Sequence, residues 1–508
     1  MPKPFDFGGV NLTAGEESCN ARPSAEIPFC IALLGDFSGR ANRGIIDATT
    51  ISKRRAVLID RDNFDEALSE SGAEIRLPMA ESGTLRLRFS DLDDFHPDRI
   101  FERLEIFGKL RDLRSRLEDP ATFPEASKEI GLSSGNFEPG KPETSSAVPP
   151  SSALLAGGSL LDEMIEQTET RIATARPRSD EVAEFAHRVV AQHLVDSPDP
   201  RQPEILAVID RAIGGLMSAI LHNPELQALE AAWRAVFLLV RQLETGSQLK
   251  LYLIDISKQE LAADLDSTTE VQDTGVYRLL VERSVGTAGA EPWAIMVGNY
   301  RFGAEDGELK LLSRLAKIAQ QAGAPFLAEA SAQLLGCSSL GASPYPRDWK
   351  LPERPGWSEL RGLREAASVG LALPRFLLRL PYGKKTSPLE TFEFEEFPEL
   401  PVHDDYLWGN PAFALALLLA QSFSEAGWDM RPGTTAEIER LPLHVYGKSG
   451  ESESKPCAEV LLTEDATERI TETGLIPLIS YRGRDSVRVA RFQSIADPPL
   501  ALSGRWLK

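Results

Sequence analysis

Trp233-Arg-Ala-Val-Phe-Leu-Leu-Val-Arg-Gln-Leu-Glu-Thr-Gly246, running into Leu249-Lys-Leu-Tyr-Leu-Ile-Asp-Ile-Ser257, decides the fold class of this chain. Trp233, Val236, Phe237, Val240 and Leu243 recur at helical spacing and predict one apolar stripe. Gly246 is the expected helix stop. Leu249, Leu251 and Leu253 then alternate as one face of a strand. A helix feeding a buried strand through a short turn is the unit from which α/β proteins are built.

The same alternation extends in both directions. Upstream, Ile27 to Leu34 predicts a strand leading into Gly35-Asp-Phe-Ser-Gly39-Arg40, and Ala56 to Ile59 a strand leading into a helix near Asp60 to Glu66. Thr84-Leu-Arg-Leu-Arg-Phe89 alternates as a strand with one solvated face, and Ser90 or Asp91 introduces helical segments that carry Leu104, Phe107, Leu110, Leu113 and Leu117 to Pro120. Ser133 to Ser152 is rich in turn formers with almost nothing to bury, as in a flexible linker. Beyond Gly157-Gly158, Ser159 is a candidate N-cap for a short amphipathic helix carrying Leu160, Leu161, Met164 and Ile165 among acidic residues. Downstream, Ile205 to Leu221 predicts a helix, Pro292 to Val297 a strand, Leu309 to Ala322 a helix, Ala324 to Leu327 a strand, Pro411 to Phe423 a helix and Leu475 to Ser480 a strand. No internal repeat of solenoid length is present.

The chain has 508 residues, 42% of them hydrophobic and 26% charged, as in a globular protein with several sizeable cores. A net charge of −21 without a prominent basic patch argues against nucleic-acid binding. No apolar run approaches the ~18 residues of a membrane span, and Met1-Pro-Lys-Pro is not followed by a signal-peptide core. Cys19, Cys30, Cys337 and Cys457 lack metal-ligand spacing, so reduced thiols in the cytoplasm are expected.

The candidate sites are sparse. Gly35 to Arg40 follows a strand but has neither GxxxxGK[ST] nor GxGxxG spacing, so no nucleotide site is expected. Gly298-Asn-Tyr-Arg301 and Tyr382-Gly-Lys-Lys385 read as turns. His403-Asp404-Asp405 is the one tight cluster of His with carboxylates, without a second ligand pair, and a structural role before Trp408 is expected. His96, His187, His193, His222 and His444 sit singly in polar or turn contexts. Glu393, Glu395 and Glu396 interleave with Phe392, Phe394 and Phe397 as on a solvated edge strand. No catalytic, cofactor or metal residues are expected.

Two sets of motifs carry a resemblance. Ile27-Pro-Phe, Leu34-Gly-Asp-Phe-Ser-Gly39, Ile59-Asp-Arg-Asp-Asn-Phe-Asp65 and Leu87-Arg-Phe-Ser-Asp-Leu-Asp-Asp-Phe-His-Pro-Asp98 resemble, in order, the small subunit of the type VI secretion contractile sheath (TssB or VipA). Trp233 to Gly246, Glu291-Pro-Trp-Ala-Ile-Met-Val-Gly-Asn-Tyr300, Leu373-Pro-Arg-Phe-Leu-Leu-Arg-Leu-Pro-Tyr-Gly383, Tyr406-Leu-Trp-Gly-Asn410 and Gly474-Leu-Ile-Pro-Leu478 are similar to successive landmarks of the large subunit (TssC or VipB).

The resemblance implies a mixed α/β, contractile-tail sheath-like protein with two sheath-type segments joined by a flexible linker. The parts are an N-terminal tail (1–24), a small-subunit-like domain (25–118), a linker (119–158) and a large-subunit-like domain (159–508). It further implies a bacterial structural protein whose partners are other sheath protomers, the inner-tube protein, the baseplate and the hexameric recycling AAA+ ATPase, with Leu160, Leu161, Met164 and Ile165 as the ATPase-binding face. Packing of that helix on its own domain is the other reading of those four residues. The family continues beyond the region of Phe492-Gln-Ser494 with a helical segment, whereas this chain stops at Lys508. Two alternatives therefore stand at this point: a non-polymerising accessory or capping protein of the same apparatus, and an α/β enzyme with a site near His403 to Asp405.

Overall fold

The computed structural model describes residues 26–79, 83–129, 201–350, 355–448 and 451–507, except 286, 288 and 399, together with single residues 23 and 199. The first strand, β1 (Phe29–Gly35), is buried at every position. Such unbroken apolar runs belong to parallel strands covered on both faces. It is followed by β2 (Val57–Ile59), α1 (Phe64–Ser71), a hairpin of β3 (Glu74–Met79) and β4 (Gly83–Arg88), and the helices α2 (Pro97–Arg103), α3 (Glu105–Glu118) and α4 (Phe123–Glu129). Part of the stretch expected as linker is therefore helical. α4 buries Phe123 and Ala126 and is tied back to α3 by Arg116 and Glu129, 2.6 Å apart.

The chain resumes with α5 (Gln202–Leu221) and α6 (Pro224–Gln242). Asn223 caps α6 by accepting from the N–H groups of Glu225 and Leu226, with Pro224 in the first turn. Trp233, Val236 and Val240 are buried as the stripe requires, and Phe237 lies at its edge against Phe64. Gly246 does not end the helix. Leu243, buried and extended at φ −106° and ψ 142°, takes the chain out of α6, and the Gly246 N–H instead closes a turn onto the Leu249 carbonyl.

The remaining strands and the further helices used below are β5 (Leu249–Asp255), α7 (Lys258–Asp266), β6 (Trp293–Phe302), α8 (Asp306–Ala322), β7 (Phe326–Ala330), β8 (Val369–Leu373), the two-residue strands β9 (Phe376–Leu377) and β10 (Trp408–Gly409), α9 (Pro411–Ala426), β11 (Glu437–Ile438), the hairpin β12 (His444–Lys448) and β13 (Glu451–Lys455), β14 (Ile476–Ser480) and β15 (Val487–Val489).

Among the described residues, nine strands form one sheet in the order β11-β15-β14-β8-β7-β6-β1-β5-β2. β1 pairs in parallel with β5 from Phe29 opposite Leu249 to Gly35 opposite Asp255, and on its other side in parallel with β6. A strand from the first half is thus hydrogen-bonded between two from the second. Its side chains divide by parity: Phe29, Ile31 and Leu33 enter the core with α6 and α9, and Cys30, Ala32 and Leu34 enter the core with α7 and α8. A one-residue slip would exchange the two sets, so the register is firmly fixed. No single helix among the described residues is long and apolar enough to cross a membrane. α5 and α6 meet that test only as a pair bent by 64°.

Candidate functional site

The chemistry-bearing residues concentrate on the seam between the two halves. At the end of β1 the chain turns through Gly35 to Arg40. Asp255, at the end of β5, accepts from the N–H of Phe37 (2.8 Å), the N–H of Ser38 (3.1 Å) and the hydroxyl of Ser38 (2.7 Å). The Asp36 carboxylate accepts from the N–H groups of Arg40 and Ala41 at 2.6 and 2.8 Å. An anion-binding loop needs such N–H groups free. Here the protein's own carboxylates occupy them, which agrees with the missing phosphate-loop spacing. Burial raises the Asp255 carboxyl above its ordinary range, against these donors.

Gly39 adopts φ +75°, where a Cβ would stand 2.3 Å from the Glu74 carbonyl oxygen. The turn therefore packs against β3 at a distance only glycine permits. Beside it, the Trp233 indole N–H donates to the Phe37 carbonyl at 2.8 Å, and the indole meets the rings of Phe37 and Phe64 edge-on.

Glu260 clamps the seam from the first turn of α7. Its side chain is fully buried, forms a capping box with Ser257, and receives Arg40 at 2.7 Å and Arg54 at 2.5 Å. Burial alone would raise its pKa; the two guanidiniums outweigh it and bring it down to about 2. A cleft of ≈ 530 Å³ opens at the carboxyl ends of β1, β6 and β7 and beside the start of α7, lined in part by Asp36, Asn299 and Glu305. Its cations, Lys258 and Arg301, are held by Glu308 and Glu329.

A second part of the seam joins α2 to the segment after Thr386. Asp98 accepts from the N–H groups of Glu390 and Thr391 and from the Thr391 hydroxyl, and Phe101 stacks on Phe392 at 4.3 Å. The expected edge strand through Glu393, Glu395 and Glu396 does not form, because side-chain contacts capture the segment. Glu396 is 3% exposed and receives Arg379 at 2.8 Å, while Arg379 also reaches Glu230 at 2.9 Å. Burial would raise Glu396; Arg379 and His222 bring it to about 2. His222 and His444 are correspondingly not isolated: His222 contacts Glu396 and Asp405, and His444 Nδ1 lies 2.6 Å from the Tyr406 hydroxyl.

His403-Asp404-Asp405 forms one short 3₁₀ turn whose side chains diverge. His403 faces Glu459 and Lys455, whereas Asp405 faces His222. The three do not make a site together, and no group of three or more His, Cys, Asp or Glu side chains among the described residues could hold a metal. Burial pushes the thiols of Cys30 and Cys457 up to about 12 and that of Cys337 to about 11, the opposite of an activated nucleophile. Leu160, Leu161, Met164 and Ile165 lie outside the described residues. Sequence reading missed Glu260 with Arg40 and Arg54, and Glu230 with Arg379 and Glu396. The available signal was Arg379 set between apolar neighbours in Phe376-Leu-Leu-Arg-Leu380, a charge that such a segment can bury only when paired.

Buried ion pairs and a shared sheet join the two halves of the chain into one bipartite α/β unit. The family model described as EvpB/VC_A0108, tail sheath N-terminal domain (VipB) matches residues 203–496, and the one described as Type VI secretion system, VipA, VC_A0107 or Hcp2 matches residues 9–127. The chain is similar to the type VI secretion system sheath protein TssC1 of Pseudomonas aeruginosa, 32% identical over 356 residues, 67% of this chain and 70% of that protein. It is also similar to sheath protein TssB1 of the same organism, 23% identical over 120 residues, 22% of this chain and 68% of that protein. The chain belongs to the type VI secretion sheath family, as a small-subunit segment fused to a large-subunit segment, and its role is structural.

Proposed function

We propose that this chain acts as a small and large sheath pair within one polypeptide, and that its copies build a cytoplasmic tube whose contraction drives an inner tube outward from a baseplate. The carrying observation is the position of β1 between β5 and β6. The halves cannot slide past one another without breaking both ladders, so contraction must rearrange interfaces between copies and leave each copy intact. Stored work then resides in the packing between copies, as in other interface-repacking transitions. No catalytic chemistry is required of any residue described above. Residues 25–118 serve as the small-subunit part, extended by α4, and residues 159–508 as the large-subunit part, with the intervening stretch as a tether.

Electron microscopy of the purified full chain tests this reading: tubular or ring-like assemblies are expected, and single particles at every concentration and salt would overturn it. In the same reading, Leu160, Leu161, Met164 and Ile165 present an apolar face to the hexameric recycling AAA+ ATPase, as amphipathic helices do in grooves. Leu161→Asp with Ile165→Asp should abolish capture by the ATPase's N-terminal domain while circular dichroism is unchanged. Equal capture of both proteins would rule the face out, and an unfolded variant would place those residues in the protein's own core.

A further inference from the structure

Lys455, the last residue of β13, lies at one end of a relay of three groups. Its ammonium nitrogen is 2.8 Å from Nδ1 of His403, and Nε2 of the same ring is 3.2 Å from Oε1 of Glu459. Arg375 fixes that carboxylate through both oxygens, at 2.6 and 3.2 Å. Burial would raise the Glu459 carboxyl, yet its bonds to His403 and Arg375 hold it well below the ordinary range. The tautomer with the ring proton on Nε2, toward the Glu459 carboxylate, leaves Nδ1 as the acceptor for Lys455. The order carboxylate, imidazole, amine is that of relays in which an oriented ring takes a proton from a nucleophile. Lys455 is partly buried, with the rings of Tyr406 and Trp408 each 5.3 Å from its nitrogen. Burial lowers its pKa, against the pull of Glu459 and Asp404.

We propose that Lys455 is a modification site, a reactive lysine acylated by small acyl phosphates with His403 as the proton acceptor. The ammonium passes one proton to Nδ1 of His403, and the freed lone pair attacks the acyl carbonyl carbon. The C–O bond to phosphate breaks with its electron pair on the phosphate, which takes the second proton from nitrogen, and the imidazolium returns its proton to water. An amide and free phosphate result, with no oxidation or reduction. The product removes a positive charge that faces His403 and the rings of Tyr406 and Trp408, at the end of the β12–β13 hairpin. Neither the sheath role nor the seam between the halves requires this arrangement.

The test is acetylation of the purified full chain with acetyl phosphate at low conversion, read by peptide mass spectrometry as the Lys455 to Lys384 ratio. Lys384 is an internal reference with its side chain 65% exposed. Lys455 should label about tenfold faster, a modest share of the ~10²–10⁴ that a positioned base supplies in enzymes. In His403→Gln the excess should vanish while Lys384 labelling and the melting temperature hold. In urea the two lysines of the wild type should label alike. Equal labelling in the folded wild type, an undiminished excess in a folded His403→Gln, or an excess that persists in urea would each overturn the proposal. The wild-type comparison decides the matter even where the variant fails to fold.

Discussion

The indole N–H of Trp233 donates to the carbonyl oxygen of Phe37 across 2.8 Å, joining α6 of the second half to the loop that follows β1 of the first. Trp233 is fully buried and Phe37 is 1% exposed, so this bond sits inside the seam and not on its rim.

Trp233→Ala should therefore cost about 3–5 kcal/mol of unfolding free energy, read from denaturant melts, the range for emptying a buried aromatic site. Trp233→Phe keeps most of the ring and loses the donor, leaving the Phe37 carbonyl unsatisfied at about 1–3 kcal/mol. If both variants unfold at the wild-type midpoint, the indole is not part of the core.

How much of this was legible in the sequence depended on the range of the interaction. The Trp233 stripe and the alternation of Leu249, Leu251 and Leu253 are local periodicities, and both elements formed as the spacing predicts. Gly246 misled because the residue that ends α6, Leu243, does so through burial in a core that local sequence does not display. The clamp on Glu260 joins residues 220 apart at Arg40 and 206 apart at Arg54, beyond any periodicity. Glu396 looked like one of three solvated glutamates, and its approach to Arg379 and His222 distinguishes it from Glu393, which is exposed beside Lys384. The family motifs carried the bipartite architecture, whereas the insertion of β1 between β5 and β6 needed the folded chain.

The clamp also fixes the acid limb of stability. Glu260 and Glu396 are each held at about 2 against an ordinary 4.5. A carboxyl depressed on folding contributes stability that is complete above its unfolded pKa and is lost as pH falls through the folded one. Urea midpoints should thus decline between about pH 4.5 and 2. Glu260→Gln should be less stable at neutral pH and decline less steeply over that window. An acid limb with the wild-type slope in this variant would show that Glu260 is not depressed.

Two glycines with nearly equal backbones separate sterics from conformation. Gly39 and Gly44 have φ of +75° and +68°, but a Cβ at Gly39 would meet the Glu74 carbonyl oxygen at 2.3 Å while one at Gly44 meets nothing within 4 Å. Gly44→Ala should cost only the left-handed backbone penalty, about 1–2 kcal/mol. Gly39→Ala carries the same penalty and must also displace the start of β3, so its melting temperature should fall clearly further. Equal losses would mean that the loop and hairpin are not packed as described.

Cutting the chain between the two matched segments asks whether the halves are one body. A protease site placed at Ser146 should leave two fragments that co-elute under native conditions and unfold in a single transition. For the first fragment to leave, β1 would have to break its ladders with both β5 and β6 and withdraw Phe29, Ile31 and Leu33 from one core and Cys30, Ala32 and Leu34 from the other. Burial of that kind is worth about 25 cal/mol for each Å² of apolar surface, far more over six buried side chains than one backbone cut gives back in chain entropy. Asp98 with Thr391, and Glu260 with Arg40 and Arg54, would separate at the same time. Size-exclusion chromatography of the cleaved protein, first in buffer and then in urea, makes the comparison. Independent elution in buffer alone would mean that the two halves are neighbours and not a single sheet.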